Sequence, residues 1–568
     1  MRRQGRDRLT GRSVTLHIVL RRPLANLHSA STTEIPVAEP VASRAAVSRE
    51  RTGGLRALTP GRFYLGLIVV AITIGAISLL IPSTPSYDPW AWIVWGREIV
   101  HLDLQTTGGP SWKPLPMIFT TLFAPFGQAE PDLWLAIARA GAFAAVVMTA
   151  RLSFRLTRLI GSRISAAREA PLAPAVLAAA IGAVGLAFSG GFFSDNALGY
   201  SEGLAAAAIL IAIERHLDGA PRQAFAVGFL AALDRPEIWL FWGPYGLWLW
   251  WRDPGARKLV AALFVLIPVL WFAPEYWGSG HFLRGATRAQ HPRANSPAFA
   301  KCPFCTELTD HAWPTVLVRL KVAAVILAGF VLAAILRVSR TAGRGALREA
   351  RPRAQATTVA VGLLGIAWFV VVAIMTQAGF SGNNRYLVIG SALIDVCGAV
   401  AWGWAVAELL ALAGSERLGA RRPPAAVAWV AAVLAAALFV VLSPNLIGPN
   451  RYKLARTHGS LNYQARLRAG AQGVIASDGG AAKLLRCGTV MTEGFQVPMV
   501  SWYLGVPTLT VTSPAPAGAP VGPAPNVIMQ TRSQRGHALL PIVHAWPTVH
   551  YTYAGHSGPF RLFTHCRA

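Results

Sequence analysis

The chain has 568 residues, of which 53% are hydrophobic and only 14% charged, and its mean hydropathy is +0.43. An ordinary soluble domain is excluded, because the apolar residues come in long blocks of the kind that cross membranes. The net charge of +27 is no nucleic-acid signature either: Lys and Arg gather in short segments between apolar runs, as orientation signals do, and no RNP, zinc-finger or helix-turn-helix pattern is apparent.

Residues 1–61 are basic, Arg-rich and without sustained periodicity, which predicts a disordered cytoplasmic tail. No apolar core of a cleaved signal peptide stands near the start. Residues 63–82 form the first span. The Arg residues before it place its start inside, so it emerges on the outer face. Residues 86–130 then lie outside. Their piece 113–127 is apolar but short and broken by Pro, and is expected as a juxtamembrane helix. The run 131–150 returns to the cytoplasm, where Arg151, Arg155, Arg158, Arg163 and Arg168 follow. Nine further runs give a polytopic α-helical membrane protein of about eleven spans, with its N-terminus inside and its C-terminus outside. The pieces 222–234 and 237–251 are short enough to form one re-entrant pair instead. Residues 62–443 are thus the transmembrane domain of a plasma-membrane protein. Residues 275–313 are an outer loop containing Cys-Pro-Phe-Cys. Residues 444–568, rich in Gly, Pro and short β-like runs such as Pro507 to Thr512, read as a small extracytoplasmic mixed α/β domain.

The stretch 86–116, SYDPWAWIVWGREIVHLDLQTTGGPSWKPLP, carries an acid and a cation in a Trp-rich setting. Asp88 fits two roles. It is an N-cap before Pro89, opening a helix over 89–100 whose Trp90, Trp92 and Trp95 suit the headgroup zone. It is also a carboxylate placed to take the proton of an acceptor hydroxyl. Lys113 is either a snorkelling lysine or a phosphate-binding cation. Asp195 and Glu202, in GGFFSDNALGYSEG, fit sugar hydroxyls as well as a loop acid and a first-turn Glu favoured by the helix dipole. Asp234, Arg235 and Glu237 break two apolar pieces, and charges at that depth point to a polar cavity or an internal ion pair. Arg385 and Tyr386, in FSGNNRYLV, are a second phosphate-binding candidate or an interfacial anchor. Arg319 and Lys321 have the same two readings, and Asp395 lies mid-span. The Cys pair 302/305 has no βαβ context and no second CxxC, so a local disulfide or free thiols are expected. A tail outside the cytoplasm allows a Cys487–Cys566 disulfide. The tail histidines have no tight ligand spacing, and no metal or other cofactor is expected.

An Asp shortly after the first span, then a helix, a Gly-containing turn and the Lys113-Pro-Leu-Pro motif resemble the GT-C superfamily of membrane glycosyltransferases. The resemblance is to the branch holding protein O-mannosyltransferases and the lipid A aminoarabinose transferase. Ala231-Ala-Leu-Asp-Arg-Pro-Glu237 resembles a short segment of that family ending in Lys-Gly-Pro, with Arg235 in the place of the lysine. Pro follows Asp88 where the family commonly has a second acid, and Trp112 precedes Lys113 where it has Glu. The resemblance covers 63–250, and the later spans by architecture. It implies an inverting enzyme that takes a polyprenyl-phosphate sugar to an envelope glycan, lipid or protein at the outer face. Asp88 is then at the catalytic centre, as the base, with Lys113 and Arg235 as donor-phosphate ligands; Arg385, proposed from its own chemistry, joins them. The resemblance requires no metal; Asp195, Glu202, Tyr386 and Glu237 are expected as substrate ligands from their own settings in the sequence. A transporter of lipid-linked glycans and a membrane scaffold with an envelope-binding domain are the rival readings.

Overall fold

A computed structural model describes residues 60–160, 172–292, 296–341, 350–413, 424–443, 446, 448–514, 520–531 and 545–566. The expected tail lies outside the described residues apart from Pro60 and Gly61, which open the first helix. The helices before the middle of the chain are α1 (Pro60–Ile77), α2 (Tyr87–Val100), α3 (Pro114–Phe123), α4 (Glu130–Ile160), α5 (Leu172–Ala187), α6 (Phe192–Ala197), α7 (Glu202–Leu217), α8 (Pro221–Ala232), α9 (Trp239–Arg252) and α10 (Arg257–Ser279). Three short helices follow, α11 (Arg284–Ala289), α12 (Pro303–Thr306) and α13 (Trp313–Thr315). Then come α14 (Val318–Thr341), α15 (Ala350–Gln377), α16 (Val388–Ala413), α17 (Ala425–Val441), α18 (Gly448–Ser477), α19 (Ala481–Cys487) and α20 (Val497–Leu504).

Every apolar run read from the sequence is helical, but length separates the runs. Five helical stretches are long and apolar enough to cross a membrane: Pro60–Leu80, Pro114–Ile160, Pro254–Ser279, Ala354–Gln377 and Asn384–Ala413. A sixth arises if Pro303–Thr315 and Val318–Ala333, bent by 98°, count as one. Among the described residues five or six stretches meet this measure of length and composition, so the expected eleven is not confirmed by it. The others, α5, α7, α8, α9 and α17, have 16, 16, 12, 14 and 17 residues. At ~1.5 Å rise per residue they fall short of a ~30 Å hydrocarbon core. Leu65, Ile68, Val69 and Val70 of α1 and Val430, Val433 and Leu434 of α17 are exposed. Such apolar belts are what lipid-facing helices present and water-facing ones avoid.

The core is built from α4, α5, α7, α15 and α16, with α2 and α3 packed at one end of it. Trp90, Trp92 and Trp95 of α2 are buried rather than set among headgroups as their type suggested. Trp92 meets Trp134 edge-on at 5.7 Å, Trp95 lies 5.8 Å from Trp112, and Trp90 lies 5.8 Å from Tyr503. Rings of this size bury the most apolar area per residue, so they fix α2 against three neighbours. Gly96 lets α3 approach closely: a Cβ there would stand 2.6 Å from the Thr120 backbone carbon. The expected juxtamembrane helix is α3. A turn containing Gly127 (φ 54°, ψ −120°) separates it from α4.

The C-terminal part docks on α2 through α20. Arg97 donates to the carbonyls of Trp502 (3.1 Å) and Val506 (2.9 Å), and Arg468 of α18 pairs with Asp132 at 2.6 Å. It carries a five-stranded sheet of β1 (Val490–Thr492), β2 (Val511–Thr512), β3 (Val527–Thr531), β4 (Thr552–Ser557) and β5 (Phe560–Thr564), in the order β2-β1-β3-β5-β4. The first three strands are mutually parallel, and β5 pairs antiparallel with β3 and β4. Pro507 to Thr510 does not extend β2: Thr508–Thr510 is a 3-10 turn, because Pro507 lacks the N–H a ladder needs.

Cys487 and Cys566 are joined 79 residues apart, closing the end of the chain onto α19. A loop of that length stabilises by about 2–5 kcal/mol. Cys487→Ser should therefore lower the thermal midpoint and bring protease cleavage in 488–566 forward. An unchanged digestion pattern would count against that role.

Candidate functional site

Seven side chains from distant parts of the chain meet at the end of the bundle where α2 lies. α2 begins at Tyr87 with Ser86 as its N-cap, so Asp88 sits in the first turn and does not cap. Its carboxylate turns away from the helix end, and Oδ2 accepts a hydrogen bond from Arg385 Nη2 at 2.6 Å. Arg385 is held in a 3-10 turn, Asn384–Leu387, ahead of α16. Lys113 is the extended residue before α3, whose N1 Pro114 fixes the start of that helix. Arg235 is extended as well, between α8 and the turn Pro236–Ile238. Asp195 lies in the short helix α6, not in the loop expected for it.

Glu202, the first residue of α7, is the hub. Its Oε1 accepts from Arg235 Nη2 (2.6 Å) and Lys113 Nζ (3.2 Å), with Arg385 Nε 3.6 Å away. The dipole of α7 alone does not account for its place. Lys113 also donates to Ser201 Oγ at 3.2 Å and stands 3.7 Å from Asp234 Oδ1. Arg235 Nη1 reaches Glu237 Oε1 at 3.5 Å. The rings of the site are equally specific. Arg235 lies over Tyr386 at 3.7 Å, Arg385 over Tyr200 at 4.0 Å, and Lys113 over Trp92 at 5.4 Å. Guanidinium groups stacked on aromatic faces keep their in-plane donors free for anions.

Burial orders the cluster. The side chains of Glu202, Asp234 and Arg235 are 2%, 0% and 5% exposed, while Lys113, Arg385 and Asp88 are 12%, 13% and 16% exposed. Three charged groups thus form its open edge, backed by a buried set. Four carboxylates, Asp88, Glu202, Asp234 and Glu237, face three cations. Glu202 Oε2, Glu237 Oε2, Arg235 Nε and Arg385 Nε are buried without a hydrogen-bond partner. Buried polar atoms in that state are costly and mark a site that takes up a ligand or water.

Burial pushes the Asp195 carboxyl up to about 7, with the nearby Arg385 pulling it down and Glu202 pushing it further up. The native state then holds a proton that the unfolded chain has lost between pH ~4 and ~7. Asp195 contributes stability that is full below that window and lost as pH rises through it. Asp195→Asn should remove this fall. The difference in thermal midpoint between variant and wild type, followed from pH 4 to 8, measures it; a parallel pair of curves would contradict it.

A groove of ≈ 780 Å³ lies among α7, α8, α9, α15 and α16, and none of the charged side chains of the cluster lines it. Ile238, next to Glu237, and Trp368, whose indole donates to the Tyr386 carbonyl at 2.7 Å, line its near end. His216, Tyr245 and Trp248 line its far end, and its walls are almost wholly apolar.

The structure does not bring the other charged candidates here. Arg319 donates to the Leu442 carbonyl, Lys321 to the Trp313 carbonyl, and Asp395 is buried within α16. Cys302 and Cys305 are disulfide-bonded. Of the tail histidines, His537 and His544 lie outside the described residues, and His550, His556 and His565 are exposed or partly so. Asp234, Tyr200 and Ser201 join the cluster without having been singled out as ligands. The signal for two of them was the tract Gly199-Tyr-Ser-Glu202, where an aromatic and a hydroxyl directly precede the hub acid.

No family model matches the chain, and no curated protein matches it. Among solved structures it is similar to ArnT from Cupriavidus metallidurans in the apo state, with a TM-score of 0.43 and 15% sequence identity over 88% of this chain and 97% of that chain.

Proposed function

We propose that the protein is an inverting glycosyltransferase that moves a sugar from a polyprenyl-phosphate donor to a hydroxyl of an envelope acceptor at the outer face of the plasma membrane. One observation carries the reading: Asp88, Lys113 and Arg385 stand together at the less buried side of an ion cluster, and the same helical bundle holds an apolar groove whose lining includes Ile238, the neighbour of Glu237. An amphiphile with a long apolar tail and an anionic head fits such a pair of features. A transporter would instead concentrate its charges near the bilayer midplane, where Asp395 stands apart from the cluster.

In this reading the polyprenyl tail lies in the groove and the phosphate meets Lys113 and Arg385. Arg385 already holds Asp88, so a phosphate oxygen entering at Arg385 competes with Asp88 Oδ2 for the guanidinium. Donor binding thereby frees the carboxylate to act on the acceptor. The acceptor oxygen attacks the anomeric carbon, and the bond from that carbon to the phosphate oxygen breaks. Asp88 takes the hydroxyl proton, and the phosphate leaves with the electron pair, its growing charge met by fixed cations. Arg235, Glu202, Asp234 and Glu237 hold those cations in place, while Asp195 and Tyr386 border the sugar.

The test is incubation of the purified protein with a panel of polyprenyl-phosphate sugars and an envelope extract. Release of free polyprenyl phosphate, with the label passed to the extract, is expected for at least one donor. Intact donors, together with movement of a fluorescent lipid-linked glycan across vesicles containing the protein, would replace this reading with transport.

A further inference from the structure

We infer that the cleft between the α5–α6 turn and the first half of α18 binds an anionic group, a phosphate or a carboxylate, on the acceptor; the inference rests on the transferase reading. The cleft encloses ≈ 290 Å³. One wall is the turn, with Ser189, Gly190 and Ser194. The other is a stripe of α18, Lys453, Arg456, Thr457 and Ser460. Steps of three and four residues place that stripe on one helix face.

Charge distinguishes this cleft from the catalytic cluster. In the cluster every cation meets a carboxylate. In the cleft no carboxylate lines the walls, and Lys453 and Arg456 form no ion pair among the described residues. No Asp or Glu occurs anywhere in α18. Two uncompensated cations facing hydroxyl groups form a donor set for an anion. A second observation points the same way: Ser189 is 3% exposed, lines the cleft, and its hydroxyl has no hydrogen-bond partner. A buried donor of that kind is satisfied by a bound acceptor atom.

Position ties the cleft to the proposed chemistry. Leu198 lines it, and the Leu198 carbonyl accepts from the Ser86 N–H at 2.9 Å, two residues before Asp88. Asp195 follows Ser194 directly, and its carboxylate lies beside Gly191 of the cleft wall. An anion held by α18 therefore sets the rest of the acceptor beside the open edge of the cluster. α17 ends at Val441 and α18 opens at Gly448, so the stripe stands where the chain leaves the last apolar helix. That is the level of lipid headgroups, which favours a membrane-borne acceptor over a soluble one.

Binding, read apart from transfer, tests this. The full chain in phosphatidylcholine nanodiscs is titrated with glucose 1-phosphate and with methyl glucoside, its uncharged counterpart. Glucose 1-phosphate should bind more tightly, and its affinity should fall as salt rises. The Lys453→Ala/Arg456→Ala double variant should lose roughly tenfold or more of it. Both residues are exposed on a helix, so their truncation leaves the fold intact. Equal binding of the two probes, or an unchanged double variant, overturns the inference. Doping the nanodiscs with phosphatidylglycerol separates the sources. Displacement of glucose 1-phosphate in the wild type but not in the double variant assigns the cleft to a lipid-borne anion, and no displacement assigns it to a soluble one. Phosphate binding without any sugar transfer would sink the enzyme reading alone, and transfer without anion preference would sink this inference alone.

Discussion

Asp88→Asn is expected to abolish sugar transfer while the protein still folds, inserts and binds donor. The substitution keeps shape and one acceptor oxygen, so the hydrogen bond from Arg385 Nη2, 2.6 Å in the wild type, survives. What is lost is the ability to take a proton. General-base catalysis is worth about 10²–10⁴-fold in rate, and kcat should fall by that order with little change in KM for the donor. The site geometry sharpens the expectation. Asp88 is 16% exposed on its side chain and pairs with Arg385 at 2.6 Å, so loss of its charge lowers the thermal midpoint somewhat, and transfer is measured below the midpoint of the variant. Arg385→Lys makes the companion measurement. Lysine keeps the charge but not the fork that spans Asp88 and Glu202, so donor KM should rise along with the loss of kcat. An Asp88→Asn protein with wild-type turnover would remove Asp88 from the chemistry altogether.

The legibility of this site in the sequence was uneven, and the reasons are physical. Asp88, Lys113 and Arg385 were visible as charges next to apolar runs, where a charge is costly without a purpose. Their meeting was not visible, because α2, α3 and α16 are brought together only by long-range packing, with Asp88 and Arg385 297 positions apart. Pairing also hid behind local rules. Asp-Pro reads as an N-cap, yet Ser86 takes that position and releases the carboxylate for Arg385. A Glu opening a helix reads as a dipole partner, yet Glu202 accepts from two cations and stands close to a third. Trp90, Trp92 and Trp95 read as headgroup anchors, because composition cannot tell an interface from a core that lies level with it. Helix length alone does not yield the expected span number, for a related reason. The run in α5 is largely buried against other helices, whereas that of α17 is largely exposed, and hydropathy alone does not separate burial from contact with lipid.

The hub predicts the largest stability effect in the molecule. Glu202→Gln preserves volume and an acceptor oxygen but removes one negative charge from a place where three cations converge. Arg235 and Lys113 hydrogen-bond to the same Oε1, with Arg385 Nε at 3.6 Å. Breaking a buried ion pair from one side costs ~3–5 kcal/mol, because the stranded partner stays desolvated. The variant should therefore unfold at a clearly lower temperature and transfer no sugar, since Lys113 and Arg385 lose the anchor that sets their spacing. The charge argument separates from a packing argument in a double-mutant cycle. Adding Arg235→Gln removes the cation that has lost its shortest partner, so the double variant should be more stable than the sum of the two losses allows. Activity should not return with it, because Lys113 and Arg385 still lack their shared carboxylate. Strictly additive losses in thermal midpoint would mean that Glu202 acts by filling space, and the cluster would then be a packed polar seam rather than a set of coupled ion pairs.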